Sequence, residues 1–142
     1  MDISKLTRVF QNYPDVLAVY LFGSYAEGRE RTDSDIDLAI LPRNDKLRGR
    51  ILDVLTDLAF NGYSNVDITF LDTNDIVLKH QAVRLNQVIY HTPEFDCGST
   101  YSRIIREYLD FKPALAVQRA ALKRRILNTE TRSDSEAITK AG

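Results

Sequence analysis

An apolar run, Val16-Leu-Ala-Val-Tyr-Leu-Phe22, stops at Gly23-Ser24, and ten residues later Asp35-Ile36-Asp37 opens a second run, Ile36-Asp-Leu-Ala-Ile-Leu41. Both runs read as strands. Residues two apart on an extended strand point to the same side, so Asp35 and Asp37 aim both carboxylates into one small volume. Like charges held that close repel, and a fold tolerates them best with a cation between them. Gly23-Ser24 supplies a turn where backbone N–H groups can approach a phosphate, with a hydroxyl as a further donor. A phosphate cradle beside paired carboxylates is the equipment of phosphoryl or nucleotidyl transfer.

A third carboxylate stands on a third run, Val66-Asp67-Ile68-Thr69-Phe70-Leu71. Alternation turns Val66, Ile68 and Phe70 one way and Asp67, Thr69 and Leu71 the other. If this strand lies beside the Asp37 strand, Asp67 completes a three-aspartate cluster. Such a cluster can hold two Mg²⁺ about 3.5–4 Å apart, and Asp67 can alternatively serve as general base for an acceptor hydroxyl.

At these residues the chain resembles the minimal nucleotidyltransferases of the DNA polymerase beta-like superfamily. Their signature is Gly-Ser, a spacer of about ten residues, Asp-x-Asp and a later isolated Asp on a strand. Gly23-Ser24, Asp35-Ile36-Asp37 and Asp67 occur in that order. The stretches Leu21–Arg29 and Ser34–Ile40 are similar to the minimal nucleotidyltransferase (MNT) antitoxins, which are encoded beside a small all-helical HEPN toxin, a ribonuclease. The resemblance runs from about Val16 to Leu71, with Tyr108–Pro113 a weaker echo of the family's C-terminal helix. It implies an α/β fold: a small mixed sheet flanked by helices, with a C-terminal helical segment. It also implies nucleotide binding at Gly23 and Ser24, and catalysis and metal binding at Asp35, Asp37 and Asp67. The activity implied is transfer of AMP from ATP, with Mg²⁺, onto a tyrosine of a HEPN toxin held in a hetero-oligomer.

The chain's 142 residues fit one domain, and 44% hydrophobic with 27% charged residues is ordinary for a soluble protein. A net charge of −1 gives no basic field to recruit nucleic acid directly. A single cysteine, Cys97, cannot close an internal disulfide, which suits a reducing cytoplasm. No secretory signal or membrane-spanning run is visible. The expected division is a nucleotidyltransferase domain over residues 1–128, with its catalytic core in 14–92 and a helical tail in 94–128, then a disordered segment over 129–142. At this length the expectation is no second domain of the kind that polymerases and antibiotic-modifying transferases use to grip template or acceptor. That favours a protein acceptor bringing its own surface. The rival readings are an antitoxin that neutralises its partner by binding only, and a transferase acting on a small molecule such as an aminoglycoside.

Along the chain, periodicity and capping signals predict a helix over Ile3–Tyr13, a short helix over Ser24–Gly28 and a polar loop over Arg29–Ser34. Asp45–Phe60 reads as one amphipathic helix closed by Asn61-Gly62, and Thr73-Asn74-Asp75 as the cap of a helix reaching Leu85. Gln87–His91 reads as an edge strand, and Ser99–Asn128 as helix that Pro113 must kink or divide. Arg29 and Arg31 lie in the spacer, where each can meet a nucleotide phosphate, a partner or only solvent. Lys46, Arg48 and Arg50 open a helix, where they can face a triphosphate or another anion, although Arg48 and Arg50 read rather as its exposed side. Arg119, Lys123, Arg124 and Arg125 read as complements to a helix C-terminus. His80, His91 and Cys97 receive no role.

Overall fold

The strand Val16–Phe22, β1, organises the structure because it pairs antiparallel on both edges, with β2 (Ile36–Pro42) and with β4 (Val88–His91). β3 (Val66–Phe70) pairs parallel with β2, giving one mixed sheet of order β3-β2-β1-β4. This computed structural model describes residues 2–31 and 35–141, with side chains through residue 128. The helices are α1 (Ile3–Gln11), α2 (Gly23–Ala26), α3 (Ile51–Phe60), α4 (Ile76–Val83) and α5 (Cys97–Ala141). A parallel pair cannot be joined by a hairpin, and the crossover from β2 to β3 is supplied by the helical stretch between Asp45 and Phe60.

Each face of the sheet carries its own apolar cluster. On one face Val19, Leu21, Ile36, Leu38 and Ile40 pack with Leu6, Val9 and Phe10 of α1 and Val54 and Leu58 of α3. On the other, Ala18, Tyr20 and Ala39 pack with Leu71, with Ala82 and Val83 at the end of α4, and with Ile104 of α5. A register shift in β1 between Val16 and Ala18 explains why Val16 joins Val19 on the first face although the two lie three positions apart. The alternation expected for β3 holds, since Val66, Ile68 and Phe70 pack on the first face and Leu71 on the second. The same two-residue period places Asp37 with Ala39, and Asp67 with Leu71, on the second face.

Several boundaries move for local reasons. Asp45–Phe60 is not one helix but a 3-10 helix, Asp45–Arg50, followed by α3. Asn44 caps the first piece by accepting from the Lys46 N–H at 2.9 Å, and Gly49 weakens helical continuity near the junction. The cap before α4 is Asp75, which accepts from the Leu78 N–H at 3.1 Å. That helix ends at Val83 rather than Leu85, and Asn86 (φ 50°) turns the chain towards β4. α5 starts at Cys97 because Asp96 accepts from the Ser99 N–H and hydroxyl at 3.0 and 2.8 Å. It runs undivided through Pro113, whose ring removes one helical hydrogen bond without ending the helix. The segment from Thr129 onward, expected to lack order, forms the last turns of α5, and its side chains lie outside the described residues.

The chain divides into two compact units, Met1–Arg106 and Glu107–Gly142. The first holds the sheet. The second is helix, with Leu109, Val117, Leu122, Ile126 and Leu127 exposed. Among the described residues no helix is long and apolar enough to cross a membrane.

Candidate active site

Sheet register brings together the residues singled out in the sequence. Phe22, the last residue of β1, stands opposite Asp37, so Gly23 follows directly beside that aspartate. Asp37 in turn stands opposite Asp67 across the parallel β2–β3 pair. Asp35 lies two residues before Asp37, at the mouth of β2, and is exposed. Gly23, just beyond the end of β1, Asp37 on β2 and Asp67 on β3 therefore form a row, with Asp35 two residues before Asp37.

Gly23 is required twice over. Its φ of +73° lies in the left-handed region that L side chains rarely adopt, and a methyl group built on it would overlap the Asp37 carboxylate. The turn and the aspartate are thus packed against each other. Ser24 is half-buried on α2, and its carbonyl accepts from the Arg29 N–H at 2.8 Å, closing the turn that follows.

The three aspartates feel one another. The Asp37 carboxyl is held above the ordinary aspartate range, first by burial, then by the negative charges of Asp67 and Asp35. Among the described residues no three His, Cys, Asp or Glu side chains are gathered closely enough to hold an ion. The acids are neighbours in register and in field, not a preformed cage. Their chemistry nonetheless suits a hard divalent cation, because carboxylate oxygens are the donors that Mg²⁺ prefers.

Gly23 also lines a cleft of about 280 Å³, together with Phe22, Glu27, Arg29, Gln81 and Arg84. Glu27 divides its carboxylate between two cations, Oε2 meeting Arg29 and Oε1 meeting Arg84. Arg29 thus lines the cleft that Gly23 also borders. Glu27, Gln81 and Arg84 were not singled out by sequence, for Arg84 lies 57 residues from Glu27 and only the fold joins them. A basic residue closing a helix carries no signal beyond its match to the helix dipole.

Other candidates have structural employment. Arg48 makes a two-point contact with Asp72 and lies 4.8 Å from the centre of the Phe70 ring. Arg50 lies 4.9 Å from the centre of the Tyr13 ring and 3.5 Å from Asp53. Burial pushes the Cys97 thiol up. Residues 32–34 of the spacer, including Ser34, lie outside the described set.

Comparison with known proteins agrees with this geometry. Residues 4–95 match the family model described as polymerase beta, nucleotidyltransferase. The chain is 33% identical over 94 residues, 66% of each protein, to the protein adenylyltransferase MntA of Shewanella oneidensis. It therefore aligns with just under two thirds of that curated relative's length. A chain in a crystal structure of a toxin–antitoxin with AMP-PNP superposes with a TM-score of 0.66 at 25% identity, covering 89% of this chain and 99% of that one. A chain from a complex of the tri-AMPylated Shewanella oneidensis HEPN toxin with MNT antitoxin gives a TM-score of 0.59 at 25% identity, covering 88% and 95%. The family model spans most of the chain and coincides with the unit that carries the aspartates, so the chain belongs to the polymerase beta nucleotidyltransferase family.

Proposed function

We propose that this chain is a Mg²⁺-dependent protein adenylyltransferase that moves AMP from ATP onto a tyrosine hydroxyl of a cognate HEPN-type ribonuclease, and so acts as its antitoxin in the cytoplasm. The observation that carries this reading is the register of the sheet: Asp37 sits between Gly23 and Asp67, with Asp35 two residues before Asp37. The curated relative's name and the toxin–antitoxin structures supply the acceptor class. An unrelated role would not need acids aligned against a glycine turn that leaves no room for a side chain.

The turn at Gly23 brings backbone amides against the β- and γ-phosphates, and the Ser24 hydroxyl donates a further hydrogen bond. Asp35 and Asp37 would hold Mg²⁺, which supplies neutralisation of the phosphate charge and polarisation of the phosphoryl oxygens. Asp67, the exposed acid on β3, takes the proton from the tyrosine hydroxyl at its carboxylate oxygen. The tyrosine oxygen then forms a bond to the α-phosphorus as the bond from that phosphorus to the bridging oxygen breaks, in line. Pyrophosphate leaves with the electron pair. Little covalent work falls to the protein; placement and electrostatics carry the rate.

The test is incubation of the full chain with α-labelled ATP and Mg²⁺, with and without the product of the adjacent gene. Label on a tyrosine of that product is the expected result. Toxin neutralised without label would show that binding alone suffices and would overturn the assignment, as would label appearing only on an added aminoglycoside.

A further inference from the structure

The cleft beside Gly23 has a charge pattern that the transfer chemistry just described does not use. Two guanidinium groups face one carboxylate, so its ionisable lining carries a net charge of about +1. Gly23 lines this cleft and also abuts the Asp37 carboxylate. A ligand lying at Gly23 would therefore meet an acid at Asp37 and two guanidinium groups at Arg29 and Arg84.

The arginines are held in place by backbone, not left to wander. The Glu27 N–H donates to the Gly23 carbonyl at 3.1 Å, fixing the shared carboxylate relative to the turn. Arg84 is the residue that closes α4, with its N–H on the His80 carbonyl at 2.9 Å. The loop that follows is pinned twice: the Gln87 side chain donates to the Ala26 carbonyl at 2.8 Å, and the Gln87 carbonyl accepts from the Leu21 N–H at 2.9 Å. Glu27 is only 20% exposed at its side chain, against 42% for Arg84, so the carboxylate sits inward and a guanidinium edge faces solvent. Each contact with Glu27 uses the Nη2 nitrogen alone, and a guanidinium has five N–H donors arranged in a fork that suits phosphate oxygens.

We infer that Arg84, with Arg29, is the clamp for the terminal phosphates of the nucleotide, and that Glu27 positions the pair. This rests on the nucleotidyl-transfer reading above and adds to it the group that meets the departing pyrophosphate. The cleft, about 280 Å³ in volume and lined by two guanidinium groups beside a glycine turn, suits phosphate oxygens. Charge that builds on the bridging oxygen as the bond to the α-phosphorus breaks is shared with the β- and γ-phosphates, where Arg84 meets it.

The test compares the full-length chain with Arg84→Ala and Arg84→Lys, titrating ATP, AMP and inorganic tripolyphosphate in the presence of Mg²⁺. Arg84→Ala is expected to weaken ATP and tripolyphosphate about ten- to a hundredfold and to leave AMP within about threefold. Arg84→Lys, which keeps the charge and loses the fork, is expected to fall between. Should Arg84→Ala not fold, Arg84→Lys decides by its ATP-to-AMP preference alone. Equal losses for ATP and AMP would mark a purely structural role and overturn the inference, as would unchanged tripolyphosphate affinity. A wild-type chain that transfers AMP while Arg84→Ala keeps its preference for ATP sinks this inference and leaves the function standing. A wild-type chain that binds tripolyphosphate through Arg84 but transfers nothing supports the clamp and removes the function.

Discussion

Asp37→Asn is expected to lower AMP transfer by about a thousandfold or more while the protein melts at a higher temperature than wild type. The two effects have one cause. Asp37 is the acid at the centre of the row, between Gly23 and Asp67, and its carboxyl is raised first by burial and then by Asp67 and Asp35. A carboxyl whose pKa is raised on folding contributes stability that is fully present below its unfolded value and is lost as pH rises through the folded value. At neutral pH wild type has lost that contribution, and an amide of the same shape does not titrate. In metal-free buffer the variant should therefore melt above wild type at neutral pH, and the gap should close as pH falls. Wild-type stability should also fall as pH rises past the ordinary aspartate range, with a shallower fall in the variant. Asp35→Asn should lose transfer similarly. Transfer retained in both variants would refute the assignment of the acids, and a variant that unfolds would refute the repulsion.

Gly23→Ala is expected to cost about 1–3 kcal/mol of stability and about a hundredfold or more in transfer. Part of the stability loss is the left-handed backbone, at φ +73°, which an L side chain occupies at a cost of about 1–2 kcal/mol. The rest comes from the new methyl group, which must displace the Asp37 carboxylate. Gly28 separates the two contributions. It has nearly the same φ, +71°, but a methyl there meets nothing within 4 Å. Gly28→Ala should lose stability through strain alone and keep transfer within a few-fold of wild type. Urea midpoints and initial rates on the three proteins would check this. Equal activity losses at the two glycines would mean that the Gly23–Asp37 approach does not matter.

The elements that build the site were largely legible because their signals are local. Apolar strands that end in Gly-Ser or begin with Asp-x-Asp declare both their period and their polar tips, and β1 and β2 appear where the runs predict. The facing of β3 was legible from alternation, whereas its neighbour was not. Its parallel pairing with β2, Asp67 opposite Asp37, is a property of the crossover and not of the strand itself. The same limit hid Arg84 and Glu27, which meet across a helix end and a turn far apart in sequence. Arg48 and Arg50 show the converse, for near a helix start they suggested an anion, yet the fold gives them Asp72, Phe70 and Tyr13. Of the two outcomes expected at Pro113, division does not occur, for α5 continues through it.

Titration calorimetry of ATP into the full-length chain, with Mg²⁺ and then with a chelator in its place, tests the shared site most directly. Uptake that depends on Mg²⁺ in wild type and vanishes in the Asp35→Asn, Asp37→Asn double variant is the predicted result. ATP bound equally well without the metal, or by the double variant, would contradict a nucleotide held through those carboxylates.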